Sequence, residues 1–481
     1  MENTLNNEVN PDTYLDDLVE SMEVMSKVKA DDVIEKLSQS SKVKKKGPSL
    51  ELQYARMVET DVNFAIAKRG EDVIPYQWQG SYWKAISEHE GQQKAFKWLE
   101  YFSPENATAR LATYCHRSSL FNANILASNG ADNIVPMTDC YVIIADDGNL
   151  TVVPTDRSYG MTYQIGAKLN APMGIYQPPS LPETSYFSQF LNTSLPDPKV
   201  RELVQQYCGY TLLRDTRFQV AQVWCGQGSN GKSVLLKIMQ TLHQKTAAIR
   251  LDKMEQFGLA SIMDASLAVS AETPKSGINE QVLKACITSD PVVLEYKGRN
   301  EFTYRPTAKW IVACNRFPRI QDETDGVFRR LQIIDWTVQF NGSRKIDRLD
   351  DLIVQDELEH VVNWCLDGLQ RLLRNGGFIV PESVAANTQN QRESSNTVLM
   401  FSQDYFINYS KDGQTKAKNS IFKAYQDYCE EQGHMPCGTS EFWSRIYLVF
   451  PQLKEMKKRV NGKQMRHVNL IFDAAPTDVS N

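Results

Sequence analysis

The sequence predicts an α/β protein: a parallel-sheet core, preceded by a smaller α+β unit and followed by a helix-rich unit that closes on a two-stranded ribbon. Three observations carry this expectation. The strand-like run Phe218-Gln219-Val220-Ala221-Gln222-Val223-Trp224 leads into Gly226-Gln227-Gly228-Ser229-Asn230-Gly231-Lys232-Ser233, after which Val234-Leu235-Leu236-Lys237-Ile238-Met239 continues at helical spacing. Two more apolar runs, Ser266–Ala271 and Lys309–Cys314, each stop at a polar residue, Glu272 and Asn315, as strands do at the carboxyl edge of a parallel sheet. Near the end of the sequence Asn461-Gly462, the most characteristic two-residue hairpin turn, separates two short strand-like runs.

In chain order, residues 1–50 begin acidic (Asp12, Asp16, Asp17, Glu20, Glu23) and end in Lys42-Val43-Lys44-Lys45-Lys46. This polar segment reads as a mobile tail with a short helix lined by Leu18, Met22 and Met25, and its lysines as a solvated linker. Residues 51–185 read as the α+β domain. A hairpin is expected over Ile74–Trp83, helices over Gln92–Leu99 and Thr108–Tyr114, and strands from Asn133 to Val153 around the turn Asp146-Asp147-Gly148-Asn149. The proline-rich stretch Ala171–Pro182 closes this domain. A helical collar follows over 186–213, the core over 214–345, a helical segment over 346–400 and the last domain over 401–475.

At 481 residues the chain is too long for one typical core, and about two to four domains are expected. Hydrophobic residues make up 42%, and no uninterrupted apolar run approaches the roughly 18 residues of a membrane span. Met1-Glu2-Asn3-Thr4 lacks the order of a signal peptide, and the nine cysteines form no C-x-x-C pair. Free thiols in a cytoplasmic protein without membrane partners are the expectation, and a zinc site is not. The net charge of −5 argues against a protein that coats a polyanion, yet Lys411–Leu470 carries 11 Lys/Arg against 6 Asp/Glu. A basic C-terminal module is hidden in the average.

The glycine-rich run is the phosphate-binding loop in its strand–loop–helix context. Gly226, Gly228, Ser229, Asn230 and Gly231 let backbone N–H groups turn toward phosphate oxygens. Lys232 would reach the β- and γ-phosphates and Ser233 would ligate Mg²⁺, so ATP and Mg²⁺ are the expected cofactors. Turnover needs an acid, and Glu272 is expected to hold the Mg²⁺-linked water and act as general base; many motors have two adjacent acids there, and this chain has one. Asn315, within Asn315-Arg316-Phe317-Pro318, would contact the γ-phosphate or the attacking water. Arg329 and Arg330, just before another strand, would stabilise transition-state charge in a neighbouring subunit, Arg330 being favoured. Between these, Val292–Tyr304 reads as a hairpin whose tip carries Lys297 and Arg299, placed to grip single-stranded DNA. Each element has a plainer reading: an exposed strand-end glutamate, a strand-ending asparagine, solvated arginines, a surface hairpin.

The order Gly-x-Gly-Ser-Asn-Gly-Lys-Ser, strand–Glu272, Leu283-Lys284 to Asp290, Tyr296-Lys297, Asn315-Arg316-Phe317-Pro318 and Phe328-Arg329-Arg330-Leu331 resembles the superfamily-three helicases. It is most similar to the phage and plasmid branch shared with poxvirus primase-helicases, from about residue 90 to 475. Ser289-Asp290 stands where that family usually has Gly-Asp. The stretch before the resemblance has no D-x-D plus histidine arrangement, so primer synthesis is not expected.

The resemblance implies an AAA+-type hexamer that encircles one strand, moves 3′→5′ and unwinds duplex, and a C-terminal winged helix. In that domain Glu441–Ile446 would be a recognition-like helix, and Lys457, Lys458, Arg459, Lys463 and Arg466 would form a wing that contacts the phosphate backbone. The expected function is an ATP-dependent replicative helicase of a phage or mobile element in a bacterial host, acting on forked DNA beside a separate primase or polymerase. The alternative is an ATP-switched initiator with little unwinding. A small-molecule kinase would have no use for the hairpin, the arginines or the ribbon.

Overall fold

The computed structural model describes residues 47–69, 72–127, 132–271, 278–295, 301–317, 326–340, 346–432, 436–460 and 463–471. The helix α1 (Leu50–Thr60) starts at Ser49, whose hydroxyl accepts from the Leu52 N–H. An antiparallel sheet follows, β1 (Phe64–Arg69), β2 (Asp72–Trp78) and β3 (Trp83–Ala85), with Trp78 opposite Trp83 across the expected hairpin. The helix α2 (Glu88–Phe102) opens on a capping box between Ser87 and Glu90, and α3 (Ala109–Asn122) returns against it. Both helices are longer than the apolar spacing suggested, because caps and not hydrophobic residues set their ends. Strand β1 is not among the expected elements; its alternation is broken by two alanines and a Lys-Arg end.

Strands β4 (Ile134–Pro136), β5 (Tyr141–Ile144), β6 (Leu150–Val153) and β7 (Gly174–Tyr176) form an antiparallel meander. Their inward faces pack in one hydrophobic core with the collar helices α4 (Tyr186–Ser194) and α5 (Pro198–Thr211) and with one face of the central sheet. The segment expected as one α+β domain thus feeds three clusters. The helices and β1 enclose one (Tyr54 to Ala123), Ala65, Tyr76, Trp83 and Leu126 form a small second one, and residues 134–169 share the core beneath the glycine-rich loop.

The central sheet is parallel and five-stranded. In chain order its strands are β8 (Ala221–Cys225), β9 (Thr246–Ala248), β10 (Leu267–Ser270), β13 (Lys309–Cys314) and β14 (Leu331–Asp335), arranged β14-β8-β13-β10-β9. The helix α6 (Lys232–His243) follows β8, and α7 (Glu280–Thr288) precedes the antiparallel pair β11 (Val292–Leu294) and β12 (Phe302–Tyr304). Helices α8 (Leu349–Asp356) and α9 (Leu358–Arg374) then close back on the collar. The α5–α9 crossing is close because Gly209 and Gly368 leave no room for a Cβ against Cys365 and Gln205. Glu357 caps the start of α4, accepting from the N–H groups of Tyr186 and Phe187 at 2.8 Å each.

Asp264 ties the hairpin base to its surroundings. Its N–H donates to the Tyr304 hydroxyl at 3.0 Å, and its carboxylate lies 3.7 Å from Lys245 and 4.0 Å from Arg214. Another buried polar group, His243, sets a pH dependence. Thr211 donates its own proton to the Cys208 carbonyl, so Nε2–H donates to Thr211 (2.9 Å) and Nδ1 accepts from Ser266 (2.8 Å). Burial pushes the imidazole down to about 3. The unfolded chain therefore takes up a proton below about pH 6.5 that the folded protein refuses, so stability falls as pH falls through that range, by about 1.4 kcal/mol between about pH 7.5 and 5.5. Urea titrations of wild type and His243→Gln at both pH values test this: the variant lacks that increment.

After α10 (Glu382–Ser395) and α11 (Thr397–Asp404), a separate core forms around Phe401, Tyr425 and Phe442. Strands β15 (Asn408–Tyr409) and β16 (Lys416–Ala417) precede α12 (Lys418–Glu431) and α13 (Thr439–Val449). The ribbon β17 (Glu455–Val460) and β18 (Lys463–Val468) follows, and the short β19 (Leu470–Ile471) pairs with β15. No helix among the described residues is long and apolar enough to cross a membrane.

Candidate nucleotide-binding site

Strand β8 is buried along its whole length, and the chain leaves it at the carboxyl edge of the sheet. The turn that follows needs left-handed backbone at Gly226 (φ 149°), Ser229 (φ 59°) and Gly231 (φ 93°). Glycine is required twice for space as well. A Cβ on Gly231 would meet Ser194 Oγ at 2.7 Å, and one on Gly226 would strike the Trp336 carbonyl and the Asn230 amide. Gly228 faces open space. Among the described residues the N–H groups of Gly228, Ser229, Gly231 and Ser233 make no hydrogen bond, and Ser194 Oγ, beside Gly231, is buried without a partner. Free N–H donors at a helix start are what an anion requires, so this loop fits a phosphate chain.

Lys232 is the first residue of α6 and only 5% exposed. Its ammonium is folded onto the loop, donating to the Gly226 carbonyl and to Asn230 Oδ1 at 3.1 Å. Burial holds its pKa below the ordinary lysine range, while the neighbouring thiols Cys314 and Cys225 oppose that shift. The Asn230 amide donates in turn to the Trp336 carbonyl at 3.1 Å. The Phe340 N–H donates to the Ser229 carbonyl at 2.7 Å. Residues 336–340 thus clasp the loop from the end of β14, a contact between segments about a hundred residues apart that local pattern does not encode. Ser233 is exposed at the second helical position.

Asn315 lies one residue beyond β13, whose last residue Cys314 is directly paired with Cys225. The two thiols are 3.5 Å apart, and their mutual hydrogen bond raises the Cys225 pKa and lowers that of Cys314. Asn315 and Gly226 each follow one member of this pair, so the structure brings the exposed asparagine beside the loop. Glu272 lies outside the described residues; Ser270, the end of β10, pairs with Val312 on the far side of β13. Lys297 and Arg299 also lie outside them, between the paired strands β11 and β12.

The arginines are not brought to the loop. Arg329 and Arg330 sit in a short turn before β14, at the sheet edge opposite the glycine-rich loop. At about 3.3 Å per residue the five residues of β14 separate the two edges by about 17 Å. Arg330, favoured from sequence, is 8% exposed and gives its Nη1 to the Gly326 carbonyl. Burial holds its pKa below the ordinary arginine value. Arg329 is exposed.

In the C-terminal unit Lys457, Lys458, Arg459, Lys463 and Arg466 are all exposed on the ribbon. Register divides them: Lys457 and Arg459 lie on one face with Arg466, and Lys458 and Lys463 on the other. The helix α13 behaves differently from a basic recognition helix. Arg445 is buried and paired with Glu441, and the exposed residues of the helix are Thr439, Ser440, Ser444, Tyr447 and Leu448, none of them basic.

Comparison with known proteins places these features beside several relatives. Residues 224–330, from the end of β8 to Arg330, match a family of unknown function, DUF5906. Two viral proteins provisionally named as helicases are similar. Helicase 121R of Invertebrate iridescent virus 3 is 26% identical over 179 residues, 32% of this chain and 18% of that protein. Helicase L207/L206 of Acanthamoeba polyphaga mimivirus is 25% identical over 270 residues, 50% of this chain and 28% of that protein. The chain therefore spans less than a third of the length of the curated relatives it matches. Among solved structures, the apo NrS-1 C-terminal region is 12% identical and covers 88% of this chain and 100% of that one, with a TM-score of 0.48.

Proposed function

We propose that this chain is an ATP-dependent DNA helicase of the superfamily-three, AAA+ kind, working as a ring of identical subunits on single-stranded and forked DNA. One observation carries the reading: a loop rich in unengaged N–H donors and the exposed Asn315 stand side by side at one sheet edge, while the arginine pair stands at the other. The strand order, with β13 between β8 and β10, supports the AAA+ assignment. Similarity to proteins with helicase names supports the activity. The proposed divisions are the core over 214–345 and a winged helix within 401–475, supported by the separate hydrophobic core and the order α12, α13, ribbon.

Bound nucleotide with its Mg²⁺ would supply the phosphoryl transfer. In this reading the loop N–H groups orient the phosphates, Lys232 leaves the Gly226 carbonyl to neutralise them, and Ser233 is the protein ligand to the metal. Glu272 takes the general-base role and Asn315 holds the attacking water. Because about 17 Å of strand lies between the sheet edges, an arginine can act only on a neighbouring subunit's site. Arg329 takes that role, since Arg330 is occupied within its own turn. Lys297 and Arg299 grip the strand, and the ribbon cations hold backbone phosphates.

Strand displacement from a forked substrate tests the proposal. ATP-dependent displacement is expected, and Lys297→Ala is expected to keep basal ATPase while stopping it. ATP turnover without displacement by the wild type would favour the initiator.

A further inference from the structure

The helix α3 carries an exposed side that the fold does not use. Arg110, Tyr114, Arg117 and Phe121 recur every three or four residues and share one side of the helix, over about 16 Å at 1.5 Å per residue. Phe121 is 89% exposed and Ile125, just beyond the helix, 73%. The Arg110 guanidinium stands 5.6 Å from the Tyr114 ring centre, with Nε 3.3 Å from its hydroxyl. Arg117 reaches Glu88 of α2 at 3.0 Å, an ion pair exposed at both ends and therefore readily exchanged for another anion.

Helix stability accounts for the Arg110–Tyr114 pair at i,i+4 and leaves the rest of this pattern unexplained. The helix has no Asp or Glu in its 14 residues, in a chain of net charge −5. Arg110 lies in the first turn, where the helix dipole disfavours a cation. Large aromatic rings left in water add nothing to the core. Flat π-faces alternating with guanidinium groups, free of carboxylates on the same helix, match a polymer that alternates flat bases with phosphates.

We propose that this face of α3 binds single-stranded DNA, with bases stacked on Tyr114 and Phe121 and phosphates held by Arg110 and Arg117. It is a third contact to DNA, outside the glycine-rich core with its hairpin and outside the ribbon, and it rests on the helicase reading only for the kind of polymer bound. All four side chains are exposed, so substitution leaves the core intact.

The test is fluorescence anisotropy of the full chain on labelled oligothymidylate without nucleotide, over a salt series. Tyr114→Ala/Phe121→Ala is expected to weaken binding at least about 25-fold, since each lost stack is worth about 5-fold or more. Arg110→Gln/Arg117→Gln is expected to weaken binding and to lower the log–log salt slope by about 1.4, two phosphates at about 0.7 each. Photocross-linking from 5-iododeoxyuridine should map to Tyr114 or Phe121. Wild-type affinity and slope in both double variants, with loss only in Lys457→Gln/Arg466→Gln, would overturn the α3 face and leave the helicase reading standing. Unchanged DNA binding with an altered oligomeric state would reassign the face to self-association. A wild-type protein that binds no single strand would overturn both.

Discussion

Lys232→Ala is expected to reduce ATP turnover by at least about 100-fold, the scale seen when a preorganised donor to transition-state charge is removed. Lys232 is 5% exposed, and its ammonium rests on the loop's own carbonyl and amide oxygens. Alanine therefore removes the cation without breaking a strand hydrogen bond, since the ammonium's hydrogen bonds are all to loop atoms. Steady-state phosphate release, with urea stability as a control on folding, measures the effect. Turnover within about tenfold of wild type at unchanged stability would remove the loop from catalysis.

A second large effect is expected at Arg329. Arg329→Ala should lower turnover by about 1000-fold or more, the lower end of the range for an arginine finger. Glu272→Gln should do the same by removing the base. Mixing the two inactive proteins should restore part of the activity, because some interfaces then pair an intact loop and base with an intact arginine. Arg330→Ala should behave differently. It breaks the contact with the Gly326 carbonyl inside its own turn, so it is expected to lower stability as well as turnover. Mixed-subunit ATPase assays alongside urea melts separate the two; full activity of Arg329→Ala alone would sink the assignment.

The glycine-rich loop, the strand before it and the helix after it are legible because their signals are local: small residues in a row, then apolar residues at a period of about 3.6. The same holds for the collar helices and for the hairpin across Trp78 and Trp83. Helix ends are less legible, since Ser87 and Thr108 cap outside the apolar repeat. The clasp from Trp336 and Phe340 has no signal in the sequence of residues 336–340, because that segment contributes only its Trp336 carbonyl and Phe340 N–H, and backbone atoms are the same in nearly every residue.

By itself the sequence determined that the chain carries a glycine-rich Gly-Lys-Ser loop on an α/β core and a basic C-terminal ribbon. Both follow from side-chain types at short spacing. Only the tertiary structure decided which groups meet. It inserted β13 beside β8, so that Asn315 stands next to Gly226 although 89 residues separate them. It buried Arg330 and exposed Arg329, adjacent residues that composition cannot tell apart. It split the ribbon cations over two faces and left one side of α3 bare. The reason is physical: spacing along a chain fixes what neighbours within a turn or a pleat can do, whereas strand order and burial are set by packing between segments that only folding brings together.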